Sequence, residues 1–215
     1  MPRTARDLRT LERAIKSLRQ QFLPKAFDPT NTYKNGRVVQ ARTRAFLVLA
    51  HAEFESYIED WARELVTKAY AVWKKTGRVV APLDSLLASH SERLVVPKKF
   101  STNPSKGTPQ QFAKLLGQAV ADYFEEVNDN HGIKESNLAG LLGRLGADAS
   151  AFGTTLLPAL TTYGERRGTH SHNSATKAAV ALVLDPQDES SRAANMIAEL
   201  APLHKWFVDT RRKIK

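Results

Sequence analysis

An all-α helical bundle is the fold that this 215-residue sequence predicts, and three observations point to it. Apolar residues recur at three- and four-residue steps through its long segments, a spacing that gathers them on one face of a helix. Helix stop and start signals punctuate those segments, as at Pro24, Thr76-Gly77 and Thr108-Pro109. Hydrophobic residues make up 42% and charged residues 25%, enough apolar content for one core. A chain of this length is read as a single domain spanning residues 1–215.

The first segment, residues 3–21, carries Leu8, Leu11, Ile15, Leu18 and, just beyond, Phe22 at helical spacing among arginines and a lysine. It predicts an amphipathic, basic helix that ends before Pro24, and residues 1–36 form this helix and a loop through Asp28-Pro29. Residues 38–75 predict the central helix. One stripe runs Leu47, Ala50, Phe54, Ile58, Trp61, Leu65 and Val72, and a second runs Phe46, Leu49, Glu53 and Tyr57. A helix apolar around so much of its girth belongs in the middle of a bundle.

Residues 76–108 read as a long connecting loop with one short helix at 83–94; Pro97, Lys98, Lys99, Pro104 and Gly107 mark its irregular part. Thr108 is the expected N-cap of the next helix, with Pro109 at its first position and an end near Asn130-His131-Gly132. Two shorter helices are expected at 136–145, capped by Ser136, and at 149–163. The apolar run at 178–184 cannot be assigned by periodicity. Asp185-Pro186 stops it, and a final helix at 188–211 carries Met196, Ile197, Leu200, Leu203, Phe207 and Val208 before a basic tail. The bundle thus has four or five main helices plus short connecting ones.

The chain has no cysteine, which removes disulfides, zinc–thiolate sites and thiol nucleophiles and fits a reducing compartment. It shows no apolar run long enough to span a bilayer and no signal-peptide pattern, so a cytoplasmic location without membrane partners is expected. The net charge of +10 makes nucleic acid the leading partner class, although an anionic membrane surface or an acidic protein would satisfy the same charge. P-loop, dinucleotide-binding, zinc-protease and nucleophile-elbow motifs are all missing.

The densest chemistry lies in Arg166-Arg167-Gly168-Thr169-His170-Ser171-His172. Guanidinium groups match phosphate oxygens and stabilise charge as a phosphorane forms. Imidazole gives or takes a proton near neutral pH, as attack by a ribose 2′-hydroxyl requires. Arg166, Arg167, His170 and His172 are therefore the catalytic candidates, with a 2′,3′-cyclic phosphate as the expected product. His170 and His172 have no third metal ligand nearby in sequence, and no metal or cofactor is expected. Arg167 and His172 are five positions apart, which does not align on one helix, so a turn or helix start is expected within the packet, aiming free N–H groups at an anion. Thr169, Lys98 and Lys99 are candidate substrate contacts. Glu53 is a candidate partner that orients an active-site arginine. The structural alternatives are equally concrete: the arginines as surface charge beside Glu165, His172 as an interior histidine, Glu53 as a carboxylate at the stripe's edge, and His51 with Glu55 as a local pair one turn apart.

Arg167-Gly168-Thr169-His170-Ser171-His172 resembles the signature of HEPN domains, an arginine followed after four to six residues by a histidine. Residues 44–55, 132–147 and 167–186 resemble more closely the RiboL-PSP-type branch, and the likeness extends over about residues 38–207. The resemblance implies a helical bundle that forms a homodimer, with two motif copies composing one metal-independent endoribonuclease site. It also implies a toxin or effector role in toxin–antitoxin or antiphage defence, often beside an antitoxin or other partner protein. A catalytically inactive HEPN module for RNA binding or protein assembly is the alternative. Ser171 departs from the small apolar residue often found before the histidine. The additional Arg166 and His170 leave open which pair does the work, with Arg167 and His172 favoured by their spacing.

Overall fold

In the computed structural model residues 5–90, 108–171 and 183–215 are described, the side chains of residues 108, 170 and 171 excepted. The elements in order are α1 (Leu8–Phe22), α2 (Gly36–Thr76), α3 (Ala81–Ser89), α4 (Thr108–Asn128), α5 (Glu135–Leu138) running into a π-helical turn (Ala139–Gly143), a 3₁₀ turn (Ala149–Ala151), α6 (Leu156–Ser171), α7 (Pro186–Glu199) and α8 (Ala201–Lys213). Among the described residues there are no strands, in agreement with the all-α expectation.

The 41-residue α2 is the hub, packing against α1, α3, α4, α6, α7, α8 and the π turn. Phe46, Leu47, Ala50, Phe54, Tyr57, Ile58, Leu65 and Val66 are buried almost completely. Each large apolar side chain removed from water this way contributes about 1.5–3 kcal/mol, so neighbours on every side stabilise the central helix. The second stripe is only partly an inner face, because Leu49 stays 39% exposed. Gly77 closes α2 in the left-handed region at φ 72°, and its N–H bonds to the Trp73 carbonyl, the stop that Thr76-Gly77 predicts.

Several expectations are corrected. The cap before α5 is Lys134, and Ser136 lies inside the first turn. The π turn after it leaves the Leu141 carbonyl to accept from the buried Tyr123 hydroxyl at 2.8 Å. Helix α6 begins at Leu156 and continues through the arginine packet, so Arg166 and Arg167 sit in its C-terminal half and no helix start falls there. The last helix is split in two, because Pro202 has no N–H to donate within a continuous helix; it occupies the first turn of α8 instead. Asp185 caps α7 by accepting from the N–H groups of Gln187 and Asp188, and Pro186 takes the first helical position. The cap assigned to the Thr108 side chain, the irregular part of the connecting loop with Lys98 and Lys99, and most of the 178–184 run lie outside the described residues.

The segment before α1 is fastened to α2. Arg6 donates to Glu53 at 2.5 Å and its Nε is 3.8 Å from Asp60, Trp61 donates to the Arg6 carbonyl at 3.0 Å, and the Ala5 N–H donates to Glu64 at 2.6 Å. At the other end of α2, the Gln40 side-chain amide brackets the backbone of Leu184, accepting from its N–H at 2.8 Å and donating to its carbonyl at 2.7 Å. Trp61 stacks on Phe207 of α8 with ring centroids 5.3 Å apart, and the neighbouring Tyr57 hydroxyl shares a 2.7 Å hydrogen bond with His204 Nδ1.

Candidate active site

Consecutive residues on an α-helix point about 100° apart, so Arg166 and Arg167 meet different neighbours. Arg166 faces α7, where its guanidinium donates to Glu189, a carboxylate with no solvent exposure. Arg192, one turn along α7, stands 3.9 Å from the same carboxylate. Arg167 faces α2, close enough to His51 and Glu55 for its charge to act on both, and its Nε is buried.

The α2 side of this junction begins with His51, only 1% exposed. Its ring stacks on Tyr163 of α6 at 6.4 Å and 15° between planes, and Phe54 meets the edge of the same tyrosine. Beside them Gly164 makes room for Lys134: a Cβ there would lie 3.1 Å from Lys134 Cγ, while His51 Nε2 would stay at an ordinary 3.8 Å. Burial, and secondarily the Arg167 charge, push the His51 pKa down to about 4, so the ring is neutral at physiological pH. Its Nδ1 is 3.8 Å from Glu55 Oε2. Glu55 is half-buried, and burial followed by the nearby Glu59 charge raises its pKa, while Arg167 and His131 pull it back. Glu59 is itself engaged, accepting from Asn130 at 2.8 Å and Arg63 at 3.2 Å. The outcome is a crease in which the charge of a guanidinium on α6 reaches a neutral imidazole and a half-buried carboxyl on α2, and the charge of the exposed His131 reaches the same carboxyl.

Of the residues singled out from sequence, Arg166 and Arg167 are thus adjacent but on different sides of α6. Thr169 is exposed, and its hydroxyl donates to the Glu165 carbonyl at 3.0 Å. The side chain of His170 and the whole of His172, Lys98 and Lys99 lie outside the described residues. Glu53 is placed on Arg6 of the N-terminal segment, and the α2 carboxylate that meets the Arg167 charge is Glu55, half a turn further on. The carboxylate partner of Arg166 is Glu189 rather than Glu165. Among the described residues no group of three His, Asp or Glu side chains has a metal-holding arrangement, and no helix is long and apolar enough to cross a membrane. Sequence reading missed Glu189, because an acidic residue just after Asp-Pro reads as an ordinary first-turn partner of the helix dipole. The signal for His51 and Glu55 was present: a histidine and a carboxylate one turn apart on the central helix, read as a local pair.

The described residues form an all-α bundle with a polar crease between α2 and α6 that holds an arginine. The RiboL-PSP-HEPN family model matches residues 6–189, most of the chain, and the protein belongs to this family. Comparison with curated proteins and with solved structures finds no match. Membership in a HEPN family goes with ribonuclease or RNA-binding roles and with helical domains that act as dimers.

Proposed function

We propose that this protein is a metal-independent endoribonuclease whose site is centred on Arg167. The observation that carries this reading is the burial of the Arg167 guanidinium's Nε beside His51 and Glu55, within the family motif. A guanidinium with a buried Nε is fixed in orientation, and its remaining N–H groups form the fork that grips a phosphate and stabilises the charge of the phosphorane. The 2′-hydroxyl attacks the adjacent phosphorus, the 5′-oxygen leaves, and a 2′,3′-cyclic phosphate with a 5′-hydroxyl results. His172 is the proton-handling partner that the motif supplies, assisted by His170, while Arg166 and Thr169 stand beside the phosphate path.

Glu55 takes the orienting role, acting through Arg167, and the neutral His51 behind it excludes water and leaves the Arg167 charge undiluted. Two copies of the crease facing each other across a homodimer compose the complete site, and the family resemblance supports a toxin or effector role in a toxin–antitoxin or antiphage system, restrained or triggered by a partner protein. The test is cleavage of RNA by purified protein in EDTA. Arg167→Ala and His172→Ala are each expected to lower cleavage about a hundredfold or more with unchanged melting temperature. Cleavage by both variants at the parental rate would remove the site assignment. A parent that binds RNA without cutting it would make the chain an inactive HEPN module.

A further inference from the structure

The groove between α6 and α7 has about 300 Å³ of space, within the range of small-ligand sites. Two contacts set the direction in which its walls run. Arg166 meets Glu189 near one end, and Thr155 donates to Glu199 near the other, so the helices are antiparallel along it. At the first end stand the guanidinium groups of Arg166 and Arg192, 31% and 46% exposed, sharing the buried Glu189 carboxylate and leaving net positive charge. At the other end is the Glu199 carboxylate. Between them lie Pro158, Ala159 and Met196, an apolar floor. From Pro158 to Arg166 the helix rises about 12 Å, at 1.5 Å per residue.

The groove is also built with polar atoms awaiting partners. Tyr163, 3% exposed, lines it, and its hydroxyl meets no hydrogen-bond partner among the described residues; nor does Glu189 Oε2 beneath the two arginines. Buried groups of this kind are uncommon; the tyrosine hydroxyl can donate to a ligand oxygen or a water, whereas the carboxylate oxygen accepts from a water or another donor.

We propose that this groove binds one nucleotide of an RNA strand, with its phosphate on Arg166 and Arg192, its base over Pro158 and Met196, and an exocyclic amino group donating to Glu199. The Glu199 carboxylate favours adenine, cytosine or guanine, whose exocyclic amino group donates at the base edge, over uracil, whose one N3–H is flanked by two carbonyl oxygens that repel a carboxylate. Because Arg166 follows the same helical turn as Arg167, the bound nucleotide is a neighbour of the scissile one. The inference therefore rests on the reading of Arg167 as the phosphate-gripping residue, and it supplies that site with a base preference.

Binding, measured apart from cleavage, tests it. Calorimetric titration of the full chain with adenosine 5′-monophosphate, uridine 5′-monophosphate and inorganic phosphate is expected to give tightest binding for the adenosine nucleotide. Arg192→Glu, which removes a phosphate contact and sets a like charge beside the phosphate, should weaken that binding at least about tenfold, and Glu199→Gln, which removes one charge-assisted hydrogen bond, should bring the adenosine and uridine nucleotides to similar affinity. Ala159→Phe, which fills the groove from its half-buried floor, should abolish binding while circular dichroism shows the helices intact. A fully 2′-O-methylated oligoadenylate, which cannot be cut, should displace the mononucleotide. Equal affinity for both nucleotides, an unaffected Arg192→Glu variant, or an oligonucleotide that binds without displacing the mononucleotide would overturn the proposal. Failure of the ribonuclease reading has a different signature: a groove that binds as described in a protein that leaves RNA intact.

Discussion

At the scale of single residues, the two adjacent arginines separate into different kinds of work. Arg166 covers a carboxylate that has no exposure, and removing it leaves Glu189 with only the half-exposed Arg192 nearby. Arg166→Ala is therefore expected to destabilise the fold by about 2–3 kcal/mol, an effect that Glu189→Gln in the same chain should largely relieve; urea unfolding of the single and double variants measures both. Glu55→Gln is expected to lower kcat about tenfold with little change in KM or melting temperature, because it loosens the aim of Arg167 without removing it. His51 makes a pH prediction. Its pKa is about 4 in the folded chain against about 6.5 unfolded, so the unfolded chain takes up the proton first as pH falls. Stability is full above pH 6.5 and is lost progressively toward pH 4, by about 2–3 kcal/mol at pH 4.5, and His51→Gln should flatten that part of the stability–pH curve.

At the scale of elements, the α2 interior and its stop were readable and most other helix bounds were not. Gly77 acts locally, through a left-handed φ, and stands where sequence puts it, whereas Asp185 and Pro186, read as the stop of the preceding apolar run, cap and open α7 two residues before the expected start. Gly77→Ala should cost about 1 kcal/mol in thermal unfolding, the penalty for a Cβ in the left-handed region. The extension of α6 through Gly164 and Gly168 ran against local signals, since glycine weakens a helix by about 1 kcal/mol relative to alanine. The helix continues because Leu156, Leu160 and Tyr163 are buried, and Gly164 leaves room for the Lys134 side chain against it. A break at Pro202 was equally hard to place: apolar spacing carries on through it from Met196 to Phe207, and the tertiary packing of Leu200 and Leu203 decides where the turn falls.

For the whole molecule, the net charge of +10 is the dominant long-range property. RNA affinity should fall steeply with salt, the logarithmic slope being about 0.7 per phosphate neutralised on a single strand, and filter binding between 50 and 200 mM salt measures it. The ion pairs on its surface contribute little to folding by comparison with the α2 core. Sedimentation of the purified chain at twice its monomer mass is the expected result for a composite site; a monomer that retains full cleavage would contradict it.

From the sequence by itself came the helical class, the central position of α2 and its stop at Gly77, because periodicity and a glycine's backbone freedom are properties of neighbours along the chain. The tertiary structure alone decided that Arg166 turns to Glu189 while Arg167 turns to His51 and Glu55, and that Glu53 belongs to Arg6. Those pairings join residues from 23 to 116 positions apart. Which side of a helix a residue occupies relative to a distant helix depends on how the whole bundle packs, and no local spacing encodes it.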